Sequence, residues 1–458
     1  MVLSFHNLFF INKNDFSQEK QYIHEKHHQK VSWTYYAIMV LGMWLIAGPS
    51  TFSYEVPAMV WSDVLCGTLL IILGYFALKP YNLWAHWGLI VIGIWLFIAP
   101  MIFFVRDGAA FLGNFLIGSL VVSFALLIAK QPGIKLFEQP GPDVPPGWTY
   151  NPSSWSQRVP IIFLAWVGFF IARYMGAFQL EIINTVWDPF FGDGTRNVLT
   201  SDVSESFPVS DATLGAFSYV LDVLFGYAGG INRWRTMPWV VIIFGILIIP
   251  LGVVSITLII LQPSVVGFWC TLCLMSAFIS LLMIPFTLDE VLATVQMILY
   301  ERKKGKPFWS LFWFGGTMEG GEHKEAEKAN NLIGDSMKSM WKDLIQRPWN
   351  LFIVGAIGTW LMAAPEALGF SGPMADSHTI TGSLIITFAI ISMSDIARKL
   401  RFINILFGVW LVAAPWILGA GQEVALWNSV ISGLILIPLA FHKGKITDNR
   451  GSFDVYIK

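Results

Sequence analysis

Charge is what this sequence has least of: Asp, Glu, Lys and Arg make up 13% of its 458 residues, about half the share in a soluble domain. Apolar residues reach 55%, in runs of about 17–25 residues that suffice for a helix to cross a hydrocarbon layer of about 30 Å. These runs lack the alternation of barrel strands, so helices must satisfy the backbone in lipid. We predict an all-α, polytopic integral membrane protein. Its twelve or so transmembrane helices are expected at 33–49, 60–78, 84–104, 110–129, 159–176, 212–228, 238–261, 265–286, 350–368, 376–394, 402–418 and 424–441.

Positive charge is nearly missing from one side of this topology. If the N-terminus lies in the cytoplasm, all but three of the 29 lysines and arginines fall in cytoplasmic segments, the exceptions being Arg106, Arg173 and Arg196. The positive-inside rule therefore predicts that both termini are cytoplasmic. We expect a multi-pass protein of the cell membrane, in particular a bacterial inner membrane.

Cysteine is almost absent as well. Two of the three cysteines, Cys270 and Cys273, stand in GFWCTLCL (267–274). A structural zinc site needs four ligands, so no metal is expected here. The pair falls in the first two turns of a span that starts outside near Val265, on one helix face and close enough for a disulfide. A helix N-terminus stabilises a thiolate, which makes the pair a candidate redox site at the outer membrane face. Plain packing is the alternative, and it is the preferred interpretation for Cys66.

A short pattern occurs four times. Gly-x-Trp-Leu and then Pro close one predicted span, and the next span carries a Gly 22 or 23 residues beyond the Trp, the spacing of a helical hairpin. These glycines are expected to let the two helices approach closely. The copies are GMWLIAGP (42–49), GIWLFIAP (93–100), GTWLMAAP (358–365) and GVWLVAAP (408–415), followed by Gly67, Gly118, Gly382 and Gly433. They resemble the SPW repeat domain, although only Pro415-Trp416 keeps its Pro-Trp pair.

These patterns divide the chain into seven segments. We expect residues 288–304 to form an amphipathic helix along the inner interface. Asp222, inside a predicted span, is either a functional carboxylate or a packing hydrogen bonder. The segments are a cytoplasmic N-terminal tail (1–32), a repeat pair (33–130), a cytoplasmic linker (131–157), a central four-span unit (158–300), a charged cytoplasmic segment (301–348), a second repeat pair (349–442) and a cytoplasmic tail (443–458).

The central unit carries four motifs in a fixed order: WDPFFGDGT (187–195), TSDVSESFPVSDATLGAFSY (200–219), RWRTMPW (233–239) and QPSVVGFWCTLC (262–273). Together they resemble the vitamin K epoxide reductase family, membrane thiol oxidoreductases built on a four-helix bundle. The resemblance implies that Cys270 and Cys273 are catalytic, with Cys273 facing a quinone and Cys270 exchanging with a partner thiol. It also implies that Ser206, Asp211 and Trp269 are cofactor-binding positions.

The sequence departs from that family in its outer connection. Residues 177–211 contain no cysteine, and Thr200 stands where the family carries one of a second pair. The aromatic residue that vertebrate members have four positions beyond the catalytic pair is Ala277 here, and we expect no fused thioredoxin-like domain.

These departures shape the expected function. We expect a thiol–disulfide oxidoreductase that couples Cys270 and Cys273 to a lipid-soluble quinone (ubiquinone, menaquinone or similar). A separate extracytoplasmic thioredoxin-like protein would be its thiol partner, and epoxide reduction does not follow. The alternative is a non-catalytic membrane scaffold or transporter-like bundle that kept the fold but lost the loop-cysteine relay.

Overall fold

The computed structural model describes residues 28, 32–52, 54–79, 82–105, 107–128, 141–206, 210–321, 348–419, 421–444, 446 and 448–454. Over this part of the chain the fold is all-α, with no strand, as predicted. The helices are α1 (Trp33–Phe52), α2 (Pro57–Ala77), α3 (Leu83–Ile102), α4 (Gly108–Ile128), α5 (Trp155–Gln179), α6 (Gly194–Leu199), α7 (Asp202–Glu205), α8 (Asp211–Tyr227), α9 (Arg233–Thr236), α10 (Pro238–Leu261), α11 (Thr271–Lys303), α12 (Phe308–Phe314), α13 (Trp349–Leu368), α14 (Pro373–Ile391), α15 (Ile403–Leu418) and α16 (Glu423–Phe441).

The predicted membrane spans are present as helices. Within the described residues, eleven helices are long and apolar enough to cross a membrane. The remaining predicted span, 212–228, is α8, which has 17 residues and contains the fully buried Asp222. The prediction of a polytopic helical membrane protein is thus confirmed.

The repeated glycines hold each hairpin together. A Cβ placed on Gly42 would lie 2.7 Å from the carbonyl oxygen of Gly67, and a Cβ on Gly67 would lie 2.6 Å from the carbonyl oxygen of Gly42. No side chain fits at either position without moving the helices apart. The same reciprocal contact joins Gly93 with Gly118, Gly358 with Gly382, and Gly408 with Gly433.

The repeated tryptophans connect the two hairpins of each pair. Their indole N–H groups donate to a polar side chain near the start of the second helix of the other hairpin. Trp44 of the first hairpin is the exception, because the corresponding position in the second hairpin is Gly113, which has no side chain to accept such a bond. The bonds are Trp95 to Ser62 (3.0 Å), Trp360 to Asn428 (2.7 Å) and Trp410 to Ser377 (3.0 Å).

The central bundle consists of α5, α8, α10 and α11. Small residues again set the close contacts: Gly168 of α5 lies against the ring of Tyr219, and Gly252 of α10 lies against Ile284 of α11. The Tyr219 hydroxyl contacts the Ser280 hydroxyl at 2.7 Å, which satisfies both groups inside the core.

Two expectations for the last central span were wrong. The span does not begin near Val265, because Gln262–Val266 continue α10 as a π-turn and Gly267, at φ 79°, then reverses the chain. Helix α11 starts only at Thr271. At its other end α11 runs on to Lys303, so residues 288–303 are no separate interfacial helix. Their apolar face packs into protein, where Met297 joins a buried cluster with Trp148 and Trp234.

Buried ion pairs close the bundle end opposite the cysteines. Arg450 lies 3.1 Å from Asp289 of α11 and 3.2 Å from Asp395, which follows α14. The Trp148 indole donates to Gln296 at 2.8 Å. The linker, the central bundle, the second repeat pair and the segment after α16 therefore meet at this end.

Candidate redox site at Cys270 and Cys273

Cys270 and Cys273 form a disulfide in the structure, with their Cα atoms 5.3 Å apart. Cys270 is the N-cap of α11, and its sulfur accepts a hydrogen bond from the Cys273 amide at 3.1 Å. The amide of Cys270 donates to Oε1 of Gln262 at 3.0 Å. A helix N-terminus that already directs an N–H group at Sγ stabilises negative charge there when the disulfide is reduced.

The two sulfurs have different surroundings. Cys270 is fully buried in a cluster that includes Met175, Leu199 and Ala212. Cys273 is half-buried, and its Sγ lies 3.7 Å from the sulfur of Met175. Cys273 lines a cavity whose described lining does not include Cys270, so the two cysteines are not equally open to an incoming thiol or ligand.

Helix α6 is the lid that covers Cys270. The Trp269 carbonyl comes so close to Gly194, the first residue of α6, that no side chain fits at that position. Val198 and Leu199 of the same helix belong to the cluster around Cys270.

Asp188 fixes this lid to α11. Its carboxylate accepts hydrogen bonds from the amide of Thr195 in the lid, at 3.0 Å, and from the amide of Thr271 in α11, at 3.2 Å. Burial alone would raise the pKa of Asp188, but hydrogen bonds from Thr195, Thr271, Phe191 and Phe190 outweigh burial and hold the pKa well below its usual range. The carboxylate is therefore charged at neutral pH.

A cavity of about 320 Å³ lies beside the disulfide, between α5, α8, α10 and α11; we call it the cysteine cavity. Most of its lining is apolar and includes Met175, Leu258 and Ile259. Four polar side chains line the end nearest α6 and α7, namely Ser201, Ser204, Asp211 and Gln262, and Ser218, Tyr219, Ser255 and Ser276 belong to the rest of the lining. A mainly apolar chamber with a few polar groups is the usual form of a site for a small organic ligand.

Gln179 organises the polar end of the cysteine cavity. Its amide nitrogen donates to Asp211 and to the Ser204 hydroxyl, both at 2.6 Å. Its carbonyl oxygen accepts from the Ser210 hydroxyl at 2.6 Å. The family resemblance implied that Asp211 is a cofactor-binding position, and in the structure Asp211 lies in the cavity wall.

The other two predicted cofactor-binding residues lie elsewhere. Ser206 is exposed, and its hydroxyl donates to the Val203 carbonyl at 2.6 Å rather than lining the cavity. The short helix α7 turns Ser204 inward instead. Trp269 is buried, but its side chain lines a second cavity on the other side of Ile259.

Sequence reasoning did not identify Gln179, Gln262 or Ser204 as residues of the cavity, nor Asp188 as the hydrogen-bond acceptor that joins α6 to α11. A usable signal was the single glutamine that ends a long apolar run, which occurs at both Gln179 and Gln262.

The remaining candidates lie outside the site. Cys66 is a free, buried thiol packed among the helices of the first repeat pair. Both carboxylate oxygens of Asp222 are buried without a hydrogen-bond partner among the described residues. No group of three His, Cys, Asp or Glu within the described ranges could hold a metal ion.

Comparison with known proteins assigns the two kinds of unit. Residues 159–288 match the model of the vitamin K epoxide reductase family, and residues 32–128 and 348–443 match the SPW repeat domain. Searches of curated proteins and of solved structures found no match. The family match supports an oxidoreductase in general. The chain is thus a membrane protein in which a vitamin K epoxide reductase family domain stands between two SPW repeat domains.

Proposed function

We propose that the protein is a thiol–disulfide oxidoreductase of the cell membrane that couples Cys270 and Cys273 to a lipid-soluble quinone. The observation that carries this proposal is the position of Cys273: it is bonded to Cys270 and lines an apolar cavity with a polar end. A thiol in such a place meets a hydrophobic ligand directly. The polar end would orient a quinone carbonyl, with Asp211, Ser204 and Gln262 as the groups within the lining.

The proposed cycle balances without a further reactant. A partner dithiol reduces the Cys270–Cys273 disulfide through a mixed disulfide and leaves as a disulfide itself. The reduced Cys273 then attacks the quinone ring and forms a covalent adduct. The Cys270 thiolate attacks Sγ of Cys273, which re-forms the disulfide and releases the hydroquinone. Two electrons and the two thiol protons leave with the hydroquinone. The N-cap position of Cys270 favours its thiolate in the last step.

The partner is proposed to be a separate extracytoplasmic thioredoxin-like protein, because residues 177–211 supply no cysteine. We further propose that the cysteine end of the bundle faces the outside and that both termini are cytoplasmic. Since Cys270 is fully buried, its reaction with that partner requires the lid helix α6 to move.

The test is differential alkylation of Cys270 and Cys273 in isolated membranes. After reduction and removal of the reductant, added quinone should return the wild-type pair to the disulfide and yield one hydroquinone per pair. Cys273→Ala should abolish hydroquinone formation, and Cys66→Ala serves as the matched control that retains it. A pair that stays reduced with every quinone offered would contradict the proposal and favour the scaffold alternative.

A further inference from the structure

A second cavity, of about 350 Å³, lies between the central bundle and the second repeat pair. Helices α10 and α11 form one wall, and α13 and α14 form the other. On α11 the lining residues Leu274, Ala277 and Leu281 share one face over about two turns, so the cavity extends about 10 Å along the helix. We call it the tail cavity, for the reason given below.

The two cavities lie back to back. Ile259 of α10 and Ala277 of α11 line both of them, so the partition is one isoleucine side chain and one methyl group thick. Ala277 is one helical turn beyond Cys273. A ligand whose ring lies against Cys273 therefore has the second cavity directly behind these two residues.

We infer that the tail cavity binds the isoprenoid tail of the quinone whose ring occupies the cysteine cavity. This inference rests on the proposed function and adds a role for the second SPW repeat pair, which supplies half of the tail cavity. The C-terminal repeats are then part of the substrate site.

Size and polarity favour this occupant. The cysteine cavity is at the small end of the roughly 300–1,000 Å³ of pockets that enclose a drug-sized ligand, so it suits a ring better than a ring with a long chain. The lining of the tail cavity is mainly aliphatic and aromatic, with Trp269, Phe278 and Met362 among its members. An uncharged, branched hydrocarbon chain matches such a lining.

The single acidic residue of the lining, Glu366, argues against a phospholipid. It is exposed and lies two residues before the end of α13, at the cysteine end of the bundle. A phospholipid whose acyl chain filled the cavity from this end would bring its phosphate towards that carboxylate, and like charges repel. The isoprenoid tail carries no charge.

The internal repeat provides a matched pair of variants. Ala363 lines the tail cavity, whereas Ala413 holds the same place in WLVAAP of the next hairpin and lines none of the cavities described here. Ala363→Trp fills the tail cavity from the repeat side and leaves the sequence of the central bundle unchanged. Ala413→Trp adds the same bulk to the same repeat pair.

The experiment compares two quinones with the same ring, one bearing an isoprenoid tail and one without it. We expect Ala363→Trp to lower the ratio of kcat/KM for the tailed over the tail-less quinone about tenfold, mainly through KM, as the loss of about two buried methylene groups would. Ala413→Trp should leave this ratio unchanged. Should Ala363→Trp fail to insert, Met362→Phe with Val412→Phe as its control makes the same comparison.

The outcomes separate the two proposals. An unchanged ratio in Ala363→Trp, with both quinones still reduced, overturns the tail cavity and leaves the proposed function standing; this is the result expected if a phospholipid or nothing fills the space. A wild-type protein that reduces neither quinone removes the proposed function and this inference together.

Discussion

The hydrogen bonds of Asp188 should control how often Cys270 becomes accessible. Asp188→Asn replaces one carboxylate oxygen by an NH₂ group, which cannot accept a hydrogen bond. One oxygen accepts from the Thr195 amide (3.0 Å), the Thr195 hydroxyl (2.6 Å) and the Thr271 amide (3.2 Å). The other accepts from the amides of Phe190 and Phe191 and from the Thr271 hydroxyl. Three donors therefore lose their acceptor whichever way the amide turns.

The magnitude follows from these contacts. Of the three bonds lost, the one to Thr271 joins the loop to α11, and each oxygen of Asp188 accepts one such bond, so closing the lid becomes less favourable by about 1 kcal/mol. Since about 1.4 kcal/mol corresponds to a tenfold change, the open fraction rises about fivefold. Cys270 is fully buried when the lid is closed, so its labelling rate should rise by the same factor.

The assay uses a background of Cys66→Ala and Cys273→Ala, in which Cys270 is the only thiol. Membranes are treated with a charged, water-soluble maleimide, and the labelled fraction is followed with time. Asp193→Asn is the control, since Asp193 lies in the same loop, is exposed and makes no side-chain cap to α6. If Asp188→Asn is labelled no faster than Asp193→Asn, Asp188 does not hold the lid closed and the reasoning is wrong.

Three further predictions concern stability. The pKa of Asp188 is held below its unfolded value of about 3.9, so the stabilisation that its carboxylate provides is complete above that pH and is lost as the pH falls further. In a plot of the free energy of unfolding against pH, Asp188→Asn should therefore lose less stability on acidification than the wild type does. Gly358→Ala should destabilise the detergent-solubilised protein by about 1–3 kcal/mol in thermal unfolding, because its Cβ would lie 2.8 Å from the Gly382 carbonyl oxygen. The control, Gly355→Ala in the same helix, meets nothing within 4 Å and should be neutral or stabilising. Equal melting temperatures for the two variants would contradict the close contact of Gly358 with Gly382. Arg450→Met leaves the buried Asp289 without its ion pair and should cost about 3–5 kcal/mol, seen as a lower melting temperature; no change would show that Asp289 is satisfied without Arg450.

Sequence patterns predicted the helices and the hairpins because the physical constraint is local. A span must be apolar over its whole length, and a glycine at each crossing point is needed wherever two backbones touch, as Gly42 and Gly67 do. The spacing of Cys270 and Cys273 predicted a disulfide pair, which the structure contains, whereas Asp211 was implied by the family resemblance and not by a local pattern.

The parts that sequence could not supply depend on three-dimensional packing. The start of α11 was misplaced because Val265, Val266, Phe268 and Trp269 are as apolar as a membrane span, whereas the π-turn and Gly267 keep these residues out of α11. The family resemblance implied Ser206, whereas Ser204 lines the cavity, and which serine faces inward depends on the orientation of the four-residue helix α7. The burial of Cys270 under α6 depends on a loop that is 70 residues away in sequence, at Leu199 and its neighbours, and no periodicity records that contact.

The buried ion pairs around Arg450 have a mechanical consequence for the opposite end of the molecule. They hold the second repeat pair against the central bundle at the end opposite the cysteines, where Asp289 and Asp395 share one guanidinium. At the cysteine end the contact is apolar, between Met362 of α13 and Trp269. Lipid can replace an apolar contact at little cost but cannot replace a buried ion pair, so any separation of α13 from α11 should be widest beside Trp269.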